Sequence, residues 1–197
     1  MVNSTIWNEQ ICEGFLEALR KNAKVRGRSG KLEPVQNVTV KKPETVVDSD
    51  LLPAITIQNY DIKRAVVNQM GRVPTYENYN TENGTVEYTK QPLKFWLYYQ
   101  IDFWAEYQED IDNMLLSWIS AMPDVGGALR VVNMGGEEVT TSCSLLSMVA
   151  LDGTDTDKRL FRRSLSYRVS GLIDVAEPEV QKYISKVHIE AVAQSEV

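Results

Sequence analysis

At 197 residues, 43% hydrophobic and 24% charged, the chain has the size and makeup of one globular domain with a sizeable core, which excludes wholesale disorder or a fibrous class. A formal net charge of -6 and a pI near 5.0 exclude a general nucleic-acid binder, because phosphate neutralisation needs a clustered basic surface. The sequence has no apolar run of about 18 residues and no basic-then-apolar leader, so the expectation is a chain without membrane span or signal peptide, folded in a cytoplasm.

Residues 5–24 read as an amphipathic helix. Ile11, Cys12, Phe15, Leu16 and Leu19 form its stripe, Lys21 and Lys24 sit where the helix dipole favours cations, and Ser4 or Thr5 is placed to cap it. Residues 25–52 follow as a long, proline- and lysine-bearing arm, read either as a solvated loop or as a contact surface for an acidic partner. Ala54 to Ile62 alternates as a strand, and residues 63–92 give mixed signals that fit a hairpin or a long loop. Val86 to Tyr88 reads as a possible start of the next strand, which would put Pro92 at an edge or a bulge.

The clearest signal lies in residues 92–123. Leu93, Phe95, Leu97, Tyr99, Ile101 and Phe103 alternate with Lys94, Trp96, Tyr98, Gln100, Asp102 and Trp104, which is a long strand with one core face and one mixed face. The period then changes to Ile111, Met114, Leu115, Trp118, Ile119 and Met122, after an acidic first turn, and a helix over 107–122 folds back on the strand's apolar side. A short strand near Leu129–Asn133 and two long ones, Val139–Leu151 and Leu160–Val175, complete the domain. The last two form an antiparallel hairpin with Phe161, Leu165, Tyr167, Val169, Ile173 and Val175 on one side and Arg162, Ser164, Ser166, Arg168, Ser170 and Asp174 on the other. The expected class is α+β: a mainly antiparallel sheet with two helices packed on it, one domain over 1–177 with an extended arm at 25–52, and a C-terminal tail at 178–197 that can add a strand through Val187, Ile189 and Ala191.

A reaction centre is hard to build from these residues. The single histidine, His188, falls in the tail, which removes the usual general base and imidazole ligand from the core. Asp152, Asp155 and Asp157 lack the spacing of a calcium loop and read as a hairpin turn, and Gly126-Gly127 and Gly135-Gly136 lack the lysine or helix start of a phosphate cradle. Glu106, Glu109, Asp110 and Asp112 are explained by the helix dipole; a rival hydrolase using Glu106, Asp110, Asp152 and Asp155 would need raised carboxylates within a pocket. Cys12 and Cys143 read as free thiols on apolar faces. The candidates that remain are for contact. Trp96, Tyr98 and Trp104 share a face read either as a subunit interface or as the seat of the 5–24 helix, and Arg162, Arg163 and Arg168 either pair with acidic residues of a neighbour or form a solvated face.

With YYQIDFWAEYQEDIDNMLLSWI followed by EEVTTSCSLLSMVALDG and KRLFRRSLSYRVSGLIDV, residues 50–175 resemble the tail terminator (tail completion) and related neck proteins of long-tailed bacteriophages. The resemblance implies a structural virion subunit of the tail or neck, with no catalytic, cofactor-binding or metal residue and no cofactor. It implies a homo-oligomeric ring, typically a hexamer, that caps the tail tube, ends tube and sheath growth and offers a surface to head-completion or connector proteins. DNA would pass through its lumen without sequence-specific binding, and no membrane would be involved; an acidic subunit suits such a channel. The long arm and the tail depart from a minimal terminator, which leaves another neck or baseplate role open, as does a monomeric adaptor acting through the aromatic face.

Overall fold

The computed structural model describes residues 3–27, 30–40, 51–65, 75–80, 85–90, 92–122, 127–155, 158–174 and 179–182. His188, Asp157 and the Val187, Ile189 and Ala191 of the expected added strand lie outside them. In chain order the elements are α1 (Asn8–Asn22), β1 (Lys24–Arg26), β2 (Leu32–Pro34), β3 (Asn37–Val40), β4 (Ala54–Arg64), β5 (Thr75–Asn80), β6 (Thr85–Lys90), β7 (Leu93–Ala105), α2 (Gln108–Ala121), β8 (Gly127–Val132), β9 (Glu138–Ala150), β10 (Gly153–Asp155), β11 (Lys158–Ile173) and β12 (Glu179–Lys182). The fold is α+β, as the sequence leads one to expect. By its contacts it divides into two compact units, residues 1–67 with 93–174, and residues 68–92 with 175–197.

In the first unit a seven-stranded sheet runs in the order β3-β4-β7-β11-β9-β8, with β10 paired to β11. β7 is central and pairs with β11 without a break from Leu93↔Ile173 to Ala105↔Phe161. Its odd residues Leu97, Tyr99, Ile101, Phe103 and Ala105 are buried together with Leu165, Tyr167 and Val169 of β11 and Ile55 and Ile57 of β4. Both helices cover this one face. α1 contributes Ile11, Phe15 and Leu19, with the Phe15 ring 5.3 Å from Tyr99 and 5.7 Å from Tyr167, and α2 contributes Ile111, Met114 and Trp118. The alternative seat for α1, on the aromatic face of β7, is therefore not the one it takes.

α1 starts later than the capping residues suggest. Gln10 accepts from the Trp7 backbone N–H at 3.1 Å, as in half of a capping box, whereas Ser4 and Thr5 bond to Asp174 and Ile6 forms a β-bridge to Leu172. Those hydroxyls tie the N-terminal segment to the end of β11 instead of capping the helix. α1 also lies close on β8 at Gly14, where a Cβ would sit 2.5 Å from the Arg130 carbonyl oxygen and 2.8 Å from Val131 Cγ1. Gly14→Ala should therefore lower stability by about 1–3 kcal/mol in a urea titration, although alanine is the better helix former by about 1 kcal/mol. A stabilised variant would mean that the helix can lift off the strand.

The arm is structured in part. β1 and β2 form a hairpin, and β3 pairs in parallel with β4, where Val38 is buried; these short pairings carry too few apolar residues to stand out in sequence. The Val86–Tyr88 segment does not begin the long strand. It belongs to β6, which lies between β5 and β12 in a three-stranded antiparallel sheet of the second unit, so β5 and β6 pair antiparallel and part of the tail, Glu179–Lys182, is the third strand.

Candidate assembly surface

The even residues of β7 point to the face that neither helix covers. Register places them in rows across three strands: Trp104 between Ala54 and Arg162, Asp102 between Thr56 and Ser164, Gln100 between Gln58 and Ser166, Tyr98 between Asp61 and Arg168, and Trp96 between Lys63 and Ser170. All five residues named from the sequence, Trp96, Tyr98, Trp104, Arg162 and Arg168, thus share this face. Cations stack on its rings. The Arg168 guanidinium lies 4.5 Å and Lys94 Nζ 4.9 Å from the Trp96 ring, Arg162 lies 4.5 Å from Trp104, and Lys63 Nζ lies 5.1 Å from Tyr98, whose other neighbour is Tyr60 at 6.2 Å.

One end of the face is closed by its own contacts. Asp102, 2% exposed, accepts from Arg162 Nη2 at 2.8 Å and from Gln100 Nε2 at 3.0 Å, and Trp104 donates from Nε1 to Thr56 Oγ1 at 3.1 Å beneath Leu52 and Leu160. Trp96, Tyr98 and Arg168 at the other end are half-buried and, among the described residues, held by stacking. The result is a basic, aromatic surface on an acidic chain.

Of the cations on this face, Lys63 is the one that the sequence does not place there. Lys94 follows from the alternation of β7, but a bulge between Asn59 and Asp61 adds one residue to β4, so parity counted from Ile55 puts Lys63 on the wrong side.

Asp152, one of the four carboxylates of the rival hydrolase, is engaged in local structure, as are Glu109 and Asp112 near the start of α2. Asp152 pairs with Arg163 and accepts from the Arg162 backbone N–H, Glu109 pairs with Arg26 at 2.9 Å, and Asp112 accepts from Gln108 at 2.8 Å. The Asp110 carboxyl is held above its ordinary value, first by partial burial and then by neighbouring Glu109. Among the described residues no three His, Cys, Asp or Glu side chains converge as a metal set, and no helix is long and apolar enough to cross a membrane.

Both cysteines are free. Burial pushes the Cys143 thiol up to about 12, and burial also raises Cys12 against the opposing hydrogen bond with Tyr99. Neither should react at the rate of an open thiol with iodoacetamide at neutral pH, and both should be modified in urea. Mass spectrometry of the labelled chain checks this, and fast native labelling of Cys143 would contradict its packing.

No protein-family model and no curated protein matches the sequence. Nineteen chains of solved structures match the fold. One is the sheath/tube terminator of an extracellular contractile injection system (PVC), solved by cryo-EM in the extended state, with a TM-score of 0.54 and 13% sequence identity. The match covers 98% of this chain and 66% of that one, so this chain spans somewhat under two thirds of its neighbour's length. The chain is therefore similar in fold to a contractile-system sheath/tube terminator.

Proposed function

We propose that the chain is a structural tail terminator of a phage or phage-like tail: a subunit that joins copies of itself into a ring, a hexamer, on the end of the tail tube. The ring stops tube and sheath polymerisation and, in a virion, presents the surface to which head-completion or connector proteins attach. What supports this reading above all is the fold likeness across nearly the whole chain, together with a central sheet whose second face carries stacked tryptophan, tyrosine and arginine with neither described helix over it. Large aromatics and arginines are the residues on which protein interfaces concentrate their binding energy. In a cyclic ring each subunit needs two different complementary patches, and the basic aromatic face provides one.

The test is mass in solution, alone and with purified tail tubes, read by sedimentation and electron microscopy. Rings of one defined stoichiometry at tube ends are expected. A chain that stays monomeric under both conditions would sink the proposal and favour an adaptor, and turnover of a substrate by its carboxylates would sink it in favour of an enzyme.

A further inference from the structure

The two edges of the large sheet differ in how they are protected. On one side β3 is four residues long, and the stretch of β4 that extends past it, Gln58–Arg64, carries Asp61, Lys63 and Arg64. Charges and short length are how edge strands avoid pairing with foreign strands. On the other side β8 pairs with β9 only from Glu138 to Cys143, so Ser144–Ala150 is bonded to β11 alone among the described residues. From Val139 to Leu151 the chain has no charged residue, no proline and no glycine. Leu146, Met148, Val149 and Leu151 are 47%, 53%, 48% and 45% exposed. The single irregularity is the bulge at Leu146, which leaves Ser147–Ala150 in regular register. An open backbone edge flanked by half-exposed apolar side chains is chemically a socket for one more strand.

We infer that the open edge of β9 receives the C-terminal segment, residues 183–197, of a second copy of this chain as an added strand. The segment reads YISKVHIEAVAQSEV, in which Val187, Ile189 and Ala191 alternate with His188, Glu190 and Val192. Lys186–Val192 matches in length the open stretch Ser144–Ala150, and Lys186 and Glu190 supply the charges that β9 lacks. Fully extended, residues 183–197 reach about 50 Å. Each copy then gives one strand and accepts one, a head-to-tail contact that closes into a ring; the inference thus rests on the ring reading above.

The experiment mixes full-length chains carrying Val149→Cys with size-tagged full-length chains carrying Ile189→Cys, oxidises the mixture, and maps the products by mass spectrometry. A mixed disulfide between the β9 and C-terminal peptides of different copies is expected. No disulfide between these two peptides in the mixture, or cross-links confined to copies carrying the same substitution, overturns the inference. In parallel, Leu146→Lys with Val149→Lys, both at half-exposed positions, and deletion of residues 183–197 should each weaken association on the order of a hundredfold while circular dichroism stays unchanged. Rings that persist in both variants refute the strand exchange and leave the terminator reading intact. Absence of rings in the unmodified chain with tubes refutes the terminator reading, and the disulfide map still decides whether tail and edge meet.

Discussion

Trp118→Ala should lower the stability of the fold by about 3–5 kcal/mol, the range for removing a large aromatic from a core that collapses only partly. Trp118 is fully buried on α2, donates from Nε1 to the Tyr167 hydroxyl at 2.8 Å and meets that ring edge-on at a centroid distance of 6.3 Å. Tyr167 in turn touches Phe15 of α1, so one indole links α2, β11 and, through them, the other helix. Trp118→Phe keeps an aromatic filling but lacks the donor, and should cost about 1–3 kcal/mol. Leu116, two residues earlier and 70% exposed, is the internal control: Leu116→Ala should stay within about 0.5 kcal/mol of the parent. Urea titration followed by circular dichroism separates the three. A Trp118→Ala chain as stable as the Leu116→Ala chain would mean that α2 is not anchored where the core places it.

The parts of this fold that the sequence disclosed are those decided by local period. β7 announces itself because thirteen successive residues alternate without a bulge, and α2 because Ile111, Met114 and Trp118 recur at helical spacing directly after it. The aromatic face was legible for the same reason, since Trp96, Tyr98 and Trp104 share parity on one uninterrupted strand. What stayed hidden depends on register or on distant pairing. The bulge in β4 inverts parity, which conceals Lys63 from the aromatic face. The pairing of β6 with β12, ninety residues away, leaves no local trace, so Val86–Tyr88 looked like a continuation of β7. The free edge of β9 could not be seen before it was known that β8 stops pairing at Cys143.

Trp96→Ala combined with Arg168→Glu should abolish ring formation while sparing the fold, and the reason lies in the difference between the two ends of the aromatic face. At the Trp104 end, Arg162 neutralises a buried carboxylate; Arg162→Ala would strand Asp102 and cost on the order of 3 kcal/mol of folding free energy, so a loss of assembly there would be ambiguous. At the Trp96 end the indole is held by Arg168 and Lys94 at a half-buried site, and a contact of that kind contributes about 0.5–1 kcal/mol to the isolated subunit. Once a neighbour covers the pair, the same two side chains are desolvated and become the kind of tryptophan–arginine anchor whose truncation costs about 2–4 kcal/mol of binding, a weakening of roughly 30- to 1,000-fold. Reversing the charge at 168 adds repulsion toward an acidic neighbouring surface, which alanine alone would not. Sedimentation of the double variant beside the parent, with thermal unfolding of both, reads the two effects separately. Rings of unchanged stability would place the interface elsewhere, on the helices or on the β9 edge alone, and would leave the stacked face as an internal feature of the sheet.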